Sequence, residues 1–204
     1  MRNVMVVVPA TPVLLPLWGV WMVASWLRLR HRAVLTPLRL VTAWAMGCYL
    51  VMVLAVTLFP LQVAFGDYAN HASLLSQANV IPLVTIDPRT FVLNVVMTVP
   101  LGVLLPLVWP VRRLRRLIGL ALAFSASVEV VQFLTNVLLS SGRTADVNDL
   151  AANTLGAVAG FLMLRCLCRF AVVDRMANRF RIPPAGERLS GQGDPTRSVA
   201  PTTP

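Results

Sequence analysis

The sequence predicts an all-α membrane protein, a polytopic helical bundle of about five transmembrane helices with its N-terminus outside and its C-terminus cytoplasmic. Three observations carry this reading. Of 204 residues, 57% are hydrophobic and only 13% charged, with a mean hydropathy of +0.73, which leaves too little polar side chain to cover a soluble fold of this size. Apolar runs of about 20 residues, the length that crosses a bilayer, recur along the chain. The basic residues, all of them arginine, cluster between those runs.

The first run extends from Val4 to Leu27. It is too long for a secretory signal, and its charge order is reversed, with Arg2 alone before it and Arg28, Arg30 and Arg32 behind it. Pro9, Pro12 and Pro16 fall within it, and prolines are tolerated in spans whose neighbours satisfy the freed carbonyls. The remaining runs are Leu38 to Phe59, Phe91 to Trp109, Leu117 to Leu139 and Val147 to Leu167. Arg28, Arg30, Arg32 and Arg39 separate the first two; Arg112, Arg113, Arg115 and Arg116 separate the third and fourth. By the positive-inside bias these loops are expected in the cytoplasm. The domain reading is therefore an N-terminal transmembrane helix with a basic cytoplasmic loop over 1–37, a four-helix membrane domain over 38–181, and a disordered cytoplasmic tail over 182–204, where Pro, Gly, Ser and Thr offer nothing to offset the entropy of ordering.

The formal charge of +10 does not point to nucleic acid, because the arginines sit in blocks facing a membrane surface. The expected partner is the lipid bilayer of the cell membrane, crossed several times. Cys48, Cys166 and Cys168 lie in or beside apolar runs, so no disulfide framework is implied. His31 belongs to a basic loop, His71 has no second ligand at metal spacing, and neither a metal nor a cofactor is expected. The five tryptophans read as interfacial anchors or lipid-facing bulk.

Against this apolar background one acid stands out. An Asp, Lys or Arg at the centre of a span costs about 2.5–3.5 kcal/mol on insertion scales, so an ionisable residue there needs a partner or a function. Glu129 lies 12 residues beyond Leu117, about 18 Å into the fourth span. Ser125, Glu129, Gln132 and Asn136 share one helical face at i, i+4, i+7 and i+11. In the fifth span Asp146, Asp149, Asn153, Gly156 and Gly160 share another, and Ala152, Gly156 and Gly160 form a small-xxx-small series suited to close helix packing. Asn94 and Thr98, one turn apart in the third span, offer a further polar contribution, and Arg143 sits in the short connection ahead of both aspartates. An arginine there opposes the positive-inside bias, which favours a bound anion or a paired acid.

The stretch FVLNVVMTVPLGVLLP, a basic loop, SASVEVVQFL and then GRTADVNDLAANTLGAVAG resembles the VanZ-like family, and NVIPLVTI, with Asn79 and Pro82, resembles the family's Asn-x-x-Pro segment. Asn94, Pro100, Leu101, Gly102, Glu129, Gln132, Arg143, Asp146, Asp149, Asn153, Gly156 and Gly160 occupy the motif positions, and Asn148, between the two aspartates, departs from them. The resemblance implies a multi-pass membrane protein and, through the family's namesake, a link to teicoplanin susceptibility.

Simpler roles stand beside these. Asp146 and Asp149 suit the N-terminus of a helix, where a capping acid contributes about 0.5–2 kcal/mol. Pro100, Gly102, Gly156 and Gly160 read as packing residues. The expected ligand set is Asn94, Glu129, Gln132, Arg143, Asp146, Asp149 and Asn153, facing outward toward an anionic or amide-rich group such as a lipid-linked cell-wall component. The alternative is an intramembrane enzyme with Glu129 as general acid/base on a lipid or lipid-linked substrate. Transport is disfavoured because the polar stripes occupy only one half of each span. Oligomeric state is left open.

Overall fold

A computed structural model describes residues 4–65, 78–79, 87–142 and 145–184. In chain order the elements are β1 (Val4–Val8), α1 (Thr11–His31), α2 (Pro37–Leu58), β2 (Leu61–Phe65), β3 (Ala78–Asn79), α3 (Pro88–Val108), α4 (Leu114–Leu139), β4 (Ala145–Asp146), α5 (Val147–Leu167) and α6 (Ala171–Phe180). Helices α1 to α5 are each long and apolar enough to cross a membrane.

Local chemistry sets the helix starts. Thr36 caps α2, its hydroxyl accepting from the Arg39 N–H at 3.4 Å, with Pro37 in the first turn. Asp87 caps α3, accepting from the N–H groups of Arg89 and Thr90 and from the Thr90 hydroxyl at 2.6 Å. The Thr90 hydroxyl bond, reinforced by the two backbone N–H groups, holds the exposed Asp87 carboxyl below the usual aspartate range. Asp146 caps α5, accepting from the Asn148 N–H at 2.8 Å.

The first span begins later than its apolar run. Val4–Val8 is not helical: it pairs antiparallel with Leu61–Phe65, Val4 opposite Phe65 and Val8 opposite Leu61. Four of its five residues are β-branched valines, and Pro9 restricts the backbone ahead of α1, so the ribbon takes what the hydropathy pattern assigned to a helix. Helix α6 was also not anticipated. It is short and amphipathic, and it folds back so that the Thr42 hydroxyl donates to the Phe180 carbonyl at 3.1 Å and Arg39 Nε to the Arg181 carbonyl at 3.2 Å. Packing continues into the segment expected as a tail: Ile182 is buried and donates its N–H to the Leu107 carbonyl at 2.7 Å, and Arg32 donates to the Pro183 carbonyl at 2.6 Å. Residues 185–204 lie outside the described residues.

Helices α3 and α5 run parallel in the closest contact of the bundle. A methyl group on Gly102 would lie 1.9 Å from the Ala157 carbonyl oxygen, one on Gly156 2.1 Å from that of Val95, and one on Gly160 2.0 Å from that of Val99. Only hydrogen fits at these crossings, so the backbones touch directly. Pro100 lies inside α3, partly buried. Around this pair Met46, Tyr49, Val53, Leu101, Leu105, Leu117, Ala121 and Phe161 form the main apolar core. Helix α1 sits outside it, held to α2 by ring N–H donors: Trp21 to the Ala43 carbonyl at 2.8 Å and Trp44 to the Met22 carbonyl at 3.3 Å. Gly47 leaves the space that the Trp21 ring fills. Those tryptophans are therefore helix–helix links as well as apolar bulk.

Candidate functional site

At the end of the bundle where α2 and α4 finish and α5 starts, polar side chains replace the apolar core. Ser125, Glu129, Gln132 and Asn136, the stripe of α4, are all buried, with Glu129 9% exposed and Ser125 not exposed at all. Their shared face points into the protein, and each meets a different element.

Glu129 accepts a hydrogen bond from the Asp146 backbone N–H at 2.8 Å through Oε2. One acid of the fourth span thereby holds the residue that opens the fifth. Asp146 in turn uses Oδ1 to cap α5 and Oδ2 to accept from Asn79 Nδ2 at 3.0 Å, locking β4 beside β3, with which it pairs in parallel. The capping role weighed for Asp146 is thus present in the structure. One turn further along α4, Gln132 donates from Nε2 to the Thr57 carbonyl at 3.1 Å, satisfying a carbonyl in the last turn of α2 that has no helical partner. Asn136 accepts from the Gly142 N–H at 3.0 Å and folds back the connection after α4, where Ser140 and Gly142 take positive φ values of 56° and 72°. One turn deeper than Glu129, Asn153 of α5 donates to the Ser125 hydroxyl at 2.9 Å.

Asp149, in the first turn of α5, is half-buried, lies near the side chain of Asn94 on α3, and is close enough to Glu129 and Asp146 to interact with both electrostatically. Thr98 is fully buried but turns its hydroxyl back to the Asn94 carbonyl at 2.7 Å. Asn94, Glu129, Gln132, Asp146, Asp149 and Asn153 are thus gathered at one end of the bundle. Arg143, expected beside them, lies outside the described residues.

Two acceptors in this cluster stand apart. Gln132 Oε1 and Asn153 Oδ1 are buried and have no hydrogen-bond partner among the described residues. They flank Glu129 along α4 and α5. Together with the carboxylates they give the cluster a surplus of acceptors, so it is built to receive N–H or O–H donors. Among the described residues no group of three His, Cys, Asp or Glu side chains is arranged to hold a metal ion.

Sequence reasoning marked Asn148 only as a departure from the motif; in the structure it is buried and provides the N–H that Asp146 caps. A signal was available: Asn148, Ala152, Gly156 and Gly160 follow one another at four-residue spacing and so continue the packing face of α5. The Thr57 carbonyl and the Asp146 N–H, as backbone groups, carry no sequence signature.

Five apolar helices with an interior polar cluster define a multi-pass membrane protein of the helical-bundle class. The model of the VanZ/LLP1 family matches residues 46–169, from α2 to the end of α5, and the chain belongs to this family. The matched segment contains every described residue of the cluster. Comparison with curated proteins and with solved structures returns no match.

Proposed function

We propose that the protein recognises the donor-rich headgroup of a lipid-linked cell-envelope component, at a polar crevice on the outer face of the cell membrane, and through it affects glycopeptide (teicoplanin) susceptibility. The observation that supports this is the pair of buried acceptors, Gln132 Oε1 and Asn153 Oδ1, that have no partner among the described residues and lie beside three carboxyl groups. Leaving such a group unsatisfied costs about 1–3 kcal/mol, a cost that an amide N–H or hydroxyl of a ligand removes. In this reading Asn94 orients Asp149, Glu129 holds the α4–α5 junction, and Arg143 supplies a cation to any phosphate linking headgroup and lipid.

The test is lipid mass spectrometry of the purified protein beside the double variant Gln132→Leu, Asn153→Leu. A co-purifying lipid lost only from the variant supports recognition; identical lipid profiles, or no lipid in either, overturn it. One feature favours a catalytic second reading. Glu129 Oε1 makes no hydrogen bond among the described residues and so is available for proton transfer on a bound lipid. Glu129→Gln separates the two, because the carboxamide keeps an acceptor for the Asp146 N–H but cannot shuttle a proton. A retained lipid with retained cellular phenotype favours binding; a retained, chemically unprocessed lipid with lost phenotype favours catalysis.

A further inference from the structure

At the opposite end of α5, 21 residues or about 30 Å from the Glu129 cluster, the structure holds a cleft of about 560 Å3. Four arginines line it, each from a different element: Arg39 from the first turn of α2, Arg112 from the α3–α4 connection, Arg165 from the last turn of α5 and Arg181 after α6. Pro106, Phe161 and Leu164 give it an apolar wall that belongs to the spans themselves. No described lining residue is acidic. We propose that this cleft is a second binding site, one that takes a phosphate group, with the phosphate on the arginines and an attached apolar chain against the wall.

Five observations argue for a ligand over a merely solvated basic surface. Arg39 and Arg181 are fixed in place, Arg39 through Nε to the Arg181 carbonyl at 3.2 Å and through Nη1 to the Val34 carbonyl at 3.1 Å, Arg181 through the Asn178 side chain. The side chains of Arg112 and Arg165, by contrast, make no hydrogen bond or ion pair among the described residues, so their forks are free to bind in a bidentate manner. The charge also exceeds what the helix ends neutralise. Three helices, α3, α5 and α6, end around the cleft with about half a negative charge each, well short of four guanidinium groups. An adjoining cavity of about 550 Å3 shares Pro110, Arg112 and Pro184 and adds Arg113, Arg115 and Arg116, so the positive potential funnels toward the cleft. Exposed Phe170, Val172 and Met176 on and beside α6, interleaved with arginines, place this end at a headgroup boundary.

The experiment uses the full chain in nanodiscs of phosphatidylcholine doped with phosphatidylglycerol, measuring the anionic lipid retained through detergent extraction. Arg112→Gln with Arg165→Gln removes two side chains that make no hydrogen bond or ion pair among the described residues. It is expected to lower retention about tenfold, as the loss of charge-assisted bonds implies. Arg113→Gln with Arg115→Gln removes the same charge from outside the cleft and is expected to leave retention within about twofold of wild type, since exposed charges contribute little individually. Equal loss in both pairs, or no loss in the first, overturns the proposal by reducing it to general surface charge. Competition with inorganic phosphate identifies the source: displacement at millimolar concentration assigns the cleft to phosphate esters from solution, and persistence of the lipid assigns it to a lipid headgroup. The reading at the Glu129 end is untouched by either result.

Discussion

Replacing Gly156 by alanine tests the α3–α5 contact directly. The added methyl carbon would lie 2.1 Å from the Val95 carbonyl oxygen and 2.2 Å from the Thr98 hydroxyl. Close carbon–oxygen contacts between helices are about 3.3 Å or longer, so the two backbones must separate by about 1.2 Å. Forcing a methyl group into a filled interface costs roughly 1–3 kcal/mol, and a displacement this large belongs to the upper part of that range, about 2–3 kcal/mol, against which alanine recovers about 1 kcal/mol of helix propensity. The net expectation is destabilisation by about 1–2 kcal/mol, or a fall in Tm of roughly 2–8 °C for a chain of this size. Thermal unfolding of the detergent-solubilised protein measures it, with Gly119→Ala as control. A methyl on Gly119 meets nothing within 4 Å, so that variant is expected to melt at or above the wild-type temperature. If Gly156→Ala melts with the wild type, or if both alanines destabilise alike, direct backbone contact between α3 and α5 is refuted.

Asp146→Ala removes the α5 cap and the Asn79 bond together and is expected to cost about 1–3 kcal/mol; Asp146→Asn keeps an acceptor for the Asn148 N–H and should recover most of the loss in chemical denaturation. The first turn of α3 is expected to loosen in acid. Because the Asp87 carboxyl is held below the usual aspartate range in the folded state, its contribution is complete above that range and lost as pH falls through the folded value; the protection of the Arg89 and Thr90 amides, corrected for the intrinsic exchange rate at each pH, should fall there and show no such step in Asp87→Ala. Trp21→Ala deletes the ring that fills the Gly47 notch and its bond to Ala43, and should free α1 from α2, detected as faster proteolysis of the segment joining them without loss of the α3–α5 core.

What the sequence made legible is what periodicity and hydropathy encode. The four later spans fall within three residues of their apolar runs, and the α4 stripe is buried as its spacing implies. The ribbon was hidden because Val4–Val8 is apolar in either conformation and its partner strand lies more than fifty residues away. Helix α6 was hidden because its ten residues, with Arg175 and Arg179 inside and Arg169 and Arg181 on either side, read as a basic flank. The polar faces of α3, α4 and α5 were visible, but their joints were not: Glu129 meets a backbone N–H and Gln132 a backbone carbonyl, and every residue type carries both.

The antiparallel ribbon has a bearing on how the chain enters a bilayer. Helices α1 and α2 pack side by side with a connection of only a few residues, and β1 and β2 close the pair at its other end. Whichever side retains the arginines of that connection, Val4–Val8 must be delivered to the other. Insertion of α1 and α2 as one hairpin places both strand sequences on the same side, where zipping them together shields amide groups that a lone extended segment would drag bare through hydrocarbon. A chain shortened to begin at α1 would still thread the membrane, but it would arrive with an unmatched edge at Leu61–Phe65, open to pairing with a neighbouring molecule.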